Sequence, residues 1–420
     1  MNINGSRNAA LKDHLRQVFQ VALQAVNGER CVEQYLRKHP PGQNVWLIAI
    51  GKAACSMTCG ASRVLGHHLQ KGLVITKEGC CTPELNGFDV LQTGHPLPDQ
   101  RSLQAGQQVL DFLSEAPANA ELLVLISGGA SALVEVLPAG LSIDDLHDVN
   151  RWLLQSGLPI QQMNAIRKQM SAIKGGRLAQ RLGGRNTKVL LISDVQDDDP
   201  AVIGSGLLFP TSGALAYIDQ QALPTGIQRL LAHALPMPGP DAPCFSHISW
   251  DIVASLSQAV DAANDAATRL GLDTEVHKRY LAGDAISTGK DIANTLRAQP
   301  DKFHIWGGET TVTLPANPGM GGRCQSLALS TAITLQHQSG WALLAAGTDG
   351  DDGNSHVAGA CVDATSLDRA RQNLGNNTNL DDYLQRADSA SLFAASGDLV
   401  KTGPTGTNVT DLVLGYLQND

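Results

Sequence analysis

Basic runs are missing from this chain. Its 420 residues carry 31 Lys and Arg against 40 Asp and Glu, a formal net charge of −9, with a pI near 5.7. Nucleic acids are bound through basic stripes, so a nucleic-acid partner is excluded. Long apolar runs are missing too, and nothing approaches the roughly 20 residues that a membrane-spanning helix needs. The opening residues Met1-Asn2-Ile3-Asn4-Gly5-Ser6-Arg7 lack a basic region followed by an apolar core, so a cytoplasmic protein with no membrane partner is expected. The eight cysteines form no paired motif: Cys55 and Cys59 are one step too far apart for C-x-x-C, and Cys80 and Cys81 are adjacent. Neither zinc nor disulfides are expected, and the thiols should be reduced and buried. Internal repeats, low-complexity segments and the G-x-G-x-x-G turn of dinucleotide-binding folds are absent. A glycine loop at Gly283–Asp291 superficially resembles a phosphate loop, but its spacing and the lack of Ser or Thr after Lys290 exclude a Walker A site.

What remains is an ordinary globular composition, 43% apolar and 17% charged, on a chain long for one core. Two domains are expected. The clearest break is Leu235–Pro243, where four prolines exclude a helix or central strand, giving domains at 1–240 and 241–420.

Ala9–Leu36 is amphipathic, with Leu11, Leu15, Val18, Phe19 and Leu23 at helical spacing, and reads as an opening helix. Val45–Ile50 is a continuous apolar run of the kind buried on both faces of a sheet. It ends in Gly51-Lys52-Ala53-Ala54, which puts Lys52 where a strand turns into a helix, either as a phosphate or carboxylate contact or as a solvated loop lysine. Leu73–Thr76 is another strand, and Gly94-His95-Pro96-Leu97-Pro98-Asp99 is a stiff turn able to hold His95 or Asp99 at a site. Leu122–Ile126 runs into Ser127-Gly128-Gly129-Ala130-Ser131, whose free N–H groups and hydroxyls suit an anion, although small residues also serve close packing. Over Asn164–Gln180, Asn164, Arg167, Ser171 and Lys174 fall on one helical face, a stripe for an anionic ligand or for solvent. Val189–Ile192 ends in Ser193-Asp194, and Asp194 lies where a catalytic or Mg²⁺-associated carboxylate is expected. Val253–Leu270 reads as an alanine-rich helix.

The chain is organised around His304–Gly359. One apolar run breaks into Gly307-Gly308-Glu309-Thr310-Thr311 and then Gly319-Met320-Gly321-Gly322-Arg323. A helical stretch follows, and a second run, Trp341–Ala346, ends in Gly347-Thr348-Asp349-Gly350-Asp351-Asp352-Gly353. Ligands bind at carboxyl ends of strands, so Arg323 with Asp349 and Asp351 points to an anionic, metal-bearing ligand. The chain closes on Gly403–Asp411, a polar glycine loop that offers Thr405 and Asn408.

Together these loops resemble the glycerate kinase type 2 family, the glycerate 2-kinases with a C-terminal MOFRL domain. The matching pieces are Gly51-Lys52-Ala53, His95-Pro96 with Pro98-Asp99, Ser127-Gly128-Gly129 with Ser131, Asn164 through Arg167 to Leu178, Ser193-Asp194, Gly307–Thr311, Gly321-Gly322-Arg323, Gly347–Gly353 and Gly403–Asp411. The resemblance implies an α/β protein of two domains, an N-terminal Rossmann-like α/β/α domain and a smaller MOFRL-type α/β domain facing it across a cleft. The implied reaction transfers the γ-phosphoryl group of ATP, with Mg²⁺, to the 2-hydroxyl of D-glycerate in a monomer or small homo-oligomer. The family's lysine falls on Lys52, its arginine on Arg323 and its acidic residue on Asp349. Asp194 joins these as catalytic, and Asp194 and Asp351 as Mg²⁺ ligands. Ser127, Gly128, Gly129, Ser131, Arg167, Lys174, Glu309, Thr405 and Asn408 are expected to hold substrate or nucleotide.

The chain departs from the family pattern at Val195-Gln196-Asp197-Asp198, at Ser205-Gly206-Leu207-Leu208 and at Cys324. The first two lie in a loop expected to border the cleft, and the third removes an amide beside Arg323. Two rival readings remain, a hydroxypyruvate reductase or kinase of another hydroxy acid, and a non-catalytic sensor of small acids or nucleotides.

Overall fold

The structure, a computed structural model, describes residues 3–81, 85–211 and 223–419. It divides into two compact units, Gly28–Val253 and a second made of Met1–Asn27 with Ala254–Asp420.

In the first unit the apolar runs form strands β1 (Val45–Ile50), β2 (Leu69–Lys77), β3 (Asp89–Thr93), β4 (Glu121–Ile126), β5 (Thr187–Ile192) and β6 (Ile248–Ala254). They lie side by side in the order β3-β2-β1-β4-β5-β6, and the pairings from β3 through β5 are parallel. Parallel central strands are covered on both faces, which is why β1, β4 and β5 are near-continuous apolar runs; Leu47, Val124 and Leu190 are almost wholly buried. The chain direction across the sheet reverses between β1 and β4. In open α/β sheets the crevice outside the carboxyl ends at such a point is where ligands bind.

The second unit carries β7 (Thr274–Val276), β8 (Phe303–Gly308), β9 (Trp341–Gly347), β10 (Gly359–Asp363), β11 (Leu399–Val400) and β12 (Asp411–Leu417). Its order is β11-β10-β9-β12-β8-β7, a mixed sheet. The two apolar runs of the organising stretch are β8 and β9, and β12 lies antiparallel between them. Their carboxyl ends therefore flank the first residue of β12, with Asp411 paired to Gly308 on one side and to Gly347 on the other.

Several sequence expectations are corrected. The opening stretch is two helices, Ile3–Ala25 and Gly28–Lys38, interrupted at Val26-Asn27. The first belongs to the second unit, where Lys12 is buried in an ion pair with Asp398 and Asn27 donates its amide to the Thr405 carbonyl at 3.1 Å. The alanine-rich helix is Leu256–Arg269, because β6 runs on to Ala254 first. The proline stretch stays within the first unit, its Leu235 and Pro236 carbonyls accepting from buried Arg177, and the units divide at Ala254.

The cysteines also differ from expectation, for Cys55 and Cys81 form a disulfide. The cause is tertiary. Gly51 donates to the Ile75 carbonyl at 3.0 Å, so the helix Ala54–Leu65 begins beside the end of β2, and Cys81 follows that strand by four residues. Among the described residues no helix is long and apolar enough to cross a membrane.

Candidate active site

At the carboxyl ends of β1 and β4, two turns lie backbone against backbone. Ser127 N–H donates to the Ile50 carbonyl at 3.0 Å and Lys52 N–H to the Gly128 carbonyl at 2.9 Å. The Ser127 hydroxyl accepts from Ala53 N–H at 3.0 Å. Only glycine fits at 51, since its φ is +134° and a Cβ there would stand 2.1 Å from Ser127 Oγ. Gly129, with φ +85°, is also close-packed, for a Cβ would lie 3.2 Å from both His95 Nε2 and Lys52 Cγ. The lysine stem and the His95 ring thus flank the Gly128-Gly129 turn. The helix after it, Ala130–Leu133, is a single turn. Ser131 Oγ meets Ser205 Oγ at 2.8 Å.

That contact places one end of the divergent 195–208 segment at this turn. Leu207 and Leu208, however, are fully buried in the sheet's core. Their side chains therefore present no surface to a ligand. Asp194 is half-buried at the end of β5.

The stripe over Asn164–Gln180 does not exist as one helical face. The helix Ile160–Gln169 stops, Gly175 and Gly176 take φ of +63° and +83°, and a 3₁₀ turn covers Arg177–Arg181. Lys174 is fully committed inside the core to Glu135, at 2.5 Å, with 5% and 0% of the two side chains exposed. Arg167 is different. Its Nε donates to Asn150 at 3.0 Å and its Nη1 to Asn164 at 3.1 Å, and among the described residues no carboxylate answers it. Burial pulls its pKa below the usual guanidinium value. A half-buried cation aimed by two neutral amides is suited to an anion.

In the second unit Arg323 is the first residue of the helix Arg323–Thr334. Asp411 grips it with two parallel bonds, Nε to Oδ2 at 2.6 Å and Nη2 to Oδ1 at 2.8 Å, and Glu309 Oε1 lies 3.0 Å from Nη1. Burial alone would lower the arginine's pKa, but the charge and hydrogen bonds of Asp411 more than reverse this. Asp349 joins the same corner: a Cβ on Gly347 would stand 3.2 Å from Asp349 Oδ1 and 3.5 Å from Asp411 Oδ1. The register of β12 between β8 and β9 thus gathers Arg323, Glu309, Asp349 and Asp411. Asp351 is half-buried on the same turn, its N–H donating to Asp349 at 3.0 Å.

Three further residues here escaped the sequence reading. Besides Asp411, buried Asp352 accepts from Cys324 N–H at 3.1 Å and from Gln325 N–H at 2.9 Å, closing the first turn of the helix that carries Arg323. Burial, then the nearby Asp411 charge, pushes the Asp352 carboxyl up to about 7. Tyr280 stands in the same field, where burial, then Glu309, pushes its phenol up to about 12. Cys324, which the sequence did single out, is a fully buried thiol whose pKa is raised by burial. The available signal for Asp411 was an acid at the junction between a glycine loop and an apolar run.

Thr405 donates its hydroxyl to the Thr348 carbonyl at 2.5 Å, and Asn408 is 8% exposed. A Cβ on Gly350 would collide with the Gly403 carbonyl at 2.1 Å, so the Gly403–Asp411 loop props the Gly347–Gly353 turn. Among the described residues, no group of three His, Cys, Asp or Glu side chains is poised to hold a metal.

Comparison with known proteins gives two family matches, the first of which begins within the opening helix. Residues 14–232 match the family described as a domain of unknown function (DUF4147), and residues 302–411 match the MOFRL family. The D-glycerate 2-kinase of Thermotoga maritima is 33% identical over 97% of this chain and 99% of its own length. A protein of Agrobacterium vitis, provisionally named a hydroxypyruvate reductase, is 36% identical over 87% of this chain and 97% of its own. The crystal structure of a glycerate kinase from Thermotoga maritima superposes with a TM-score of 0.83 at 33% identity, covering 97% of this chain and 100% of that one.

Proposed function

Because the chain belongs to the glycerate kinase type 2 family, which joins a DUF4147 domain to a MOFRL domain, we propose that it phosphorylates the 2-hydroxyl of D-glycerate with ATP, giving 2-phospho-D-glycerate and ADP. The observation that carries this reading is the Arg323–Asp411 fork at the ends of β8 and β9, with Asp349 beside it. Phosphoryl transfer asks a protein for positioning and for fixed charge at the transferring oxygens, and a guanidinium locked by a buried carboxylate supplies both.

In this reading Lys52 and Arg323 neutralise phosphoryl oxygens. Asp349 accepts the proton of the 2-hydroxyl as its oxygen attacks the γ-phosphorus and the bond to the β-phosphate oxygen breaks. Arg167 and the Ser127-Gly128-Gly129-Ala130-Ser131 turn hold a substrate carboxylate or phosphate, while Lys174, Thr405 and Asn408 support the site rather than touch substrate. Asp194 and Asp351 are the carboxylates assigned to Mg²⁺. That ion takes one or two carboxylates together with substrate phosphates, so scattered acids rather than a ready-made cage fit it. When bound it neutralises charge on the phosphates. The enzyme is proposed to act in the cytoplasm, as a monomer or small homo-oligomer.

The test is incubation of the purified chain with Mg·ATP and D-glycerate, with 2-phosphoglycerate and 3-phosphoglycerate resolved. Formation of the 2-phosphate is expected; no phosphorylated product would refute the reading. The reductase alternative draws on the strand order of the first sheet, which is that of dinucleotide-binding folds. Yet the β1 turn reads Gly51-Lys52-Ala53-Ala54 and lacks their glycine spacing. Consumption of NADH with hydroxypyruvate in the absence of ATP would favour that alternative.

A further inference from the structure

We propose that Glu309 is an exchangeable counter-ion, occupying the outer edge of the Arg323 guanidinium until phosphoryl or carboxylate oxygens of a substrate displace it. This deepens the kinase reading and rests on Arg323 being an anion contact.

The two acids that hold Arg323 are not alike. Asp411 uses both oxygens, its side chain is 5% exposed, and its backbone is fixed between Gly308 and Gly347. Glu309 Oε1 stands 3.0 Å from Nη1 on a side chain that is 44% exposed, just beyond the last residue of β8. A buried two-bond clasp persists, whereas an ion pair to a carboxylate that is 44% exposed is weak, and that carboxylate returns readily to water. With Nε and Nη2 already committed to Asp411, the edge left for a ligand is the one that includes Nη1, where Glu309 sits.

Charge gives the exchange a direction. Asp411 and Glu309 against one guanidinium leave an excess negative charge, which repels an incoming anion while Glu309 stays in place. Swinging Glu309 out lets the anion take over a cation that Asp411 continues to orient. Glu309 therefore selects ligands able to replace it, namely anions with at least two oxygens in one plane, and discriminates against neutral hydroxy compounds.

The experiment titrates the full chain calorimetrically, without metal, with inorganic tripolyphosphate and separately with D-glycerate, comparing native protein, Glu309→Gln and Glu309→Gln combined with Arg323→Ala. Exchange predicts that Glu309→Gln binds one of the two anions up to about fivefold more tightly, the scale of one exposed ion pair. The arm that tightens tells which substrate Arg323 receives, and its KM should fall in parallel. The gain should vanish in the double variant.

Unchanged affinity for both anions overturns the proposal. So does weakened affinity, which would make Glu309 a direct ligand contact, or a gain that persists without Arg323, which would make it a general charge effect. Binding of neither anion by any variant also removes it. Because binding is read without turnover, tighter tripolyphosphate binding in a chain that phosphorylates no glycerate would sink the kinase reading and leave the exchange standing.

Discussion

Replacing Asp411 by Asn tests the central geometry most directly. The substitution keeps the shape of the side chain but turns one acceptor into an N–H donor facing the arginine's own N–H groups, and it removes the charge that compensates Arg323. Breaking a buried charge pair from one side costs about 3–5 kcal/mol. Here Arg323 keeps 28% side-chain exposure and a second carboxylate at 3.0 Å, so about 2–3 kcal/mol is expected. For a unit of this size that corresponds to a fall in Tm of roughly 4–12 °C. The guanidinium remains charged but loses its aim, and a misplaced group of that kind lowers kcat/KM roughly 100-fold. Differential scanning calorimetry and a steady-state assay of 2-phosphoglycerate formation read the two effects. Near-native kcat/KM with a lowered Tm would show that Asp411 serves folding alone; native values of both would refute the reasoning about the fork.

Other consequences follow from the same contacts. Lys52→Ala and Arg323→Ala should each reduce kcat roughly 100-fold or more, the scale for losing a preorganised charge at developing negative oxygens, and near-normal turnover in either would displace it from the site. Asp352, pushed up to about 7 by burial and then by Asp411, prefers the protonated form when folded, so its contribution to stability is full below the ordinary carboxylate pKa and is lost as pH rises toward 7. The Tm advantage of native protein over Asp352→Asn should accordingly be largest near pH 4 and shrink by pH 7; an advantage that widens with pH would mean the buried carboxyl is ionised throughout. The Cys55–Cys81 bridge spans 26 positions, a loop whose closure contributes about 3.5 kcal/mol in the unfolded-chain account. Denatured native protein should titrate six free thiols before reduction and eight after, and dithiothreitol should lower the Tm of native protein but not of Cys55→Ser; eight thiols from the outset would show that no bridge forms.

Much was legible in the sequence because it is local. The six apolar residues Val45–Ile50 fit a strand buried on both faces of a sheet, and the glycines at the ends of β1, β4, β8 and β9 announce turns where backbones approach closely. Arg323 and Asp349 stood out beside such turns, whereas the position of Lys52 left two readings open and only the family resemblance singled it out. Two domains were expected from chain length, and their α/β architecture from the family resemblance.

Tertiary structure decided which charges meet. Arg323 and Asp411 are 88 residues apart and Lys174 and Glu135 are 39 apart, and neither separation leaves a periodicity to read. One arginine became a locked cation because β12 inserts between β8 and β9 in a register that presents Asp411 to it, while one lysine of the supposed basic stripe was turned inward by two left-handed glycines and buried against an acid. The opening helix joined the second unit because Leu15, Val18, Phe19 and Leu23 pack with Phe303, Ile305 and Leu344, and there Lys12 meets Asp398, almost the whole chain away. Strand and turn propensities act over a few residues, whereas burial selects charge partners only after the sheets have formed, so the pairing is a property of the packed chain.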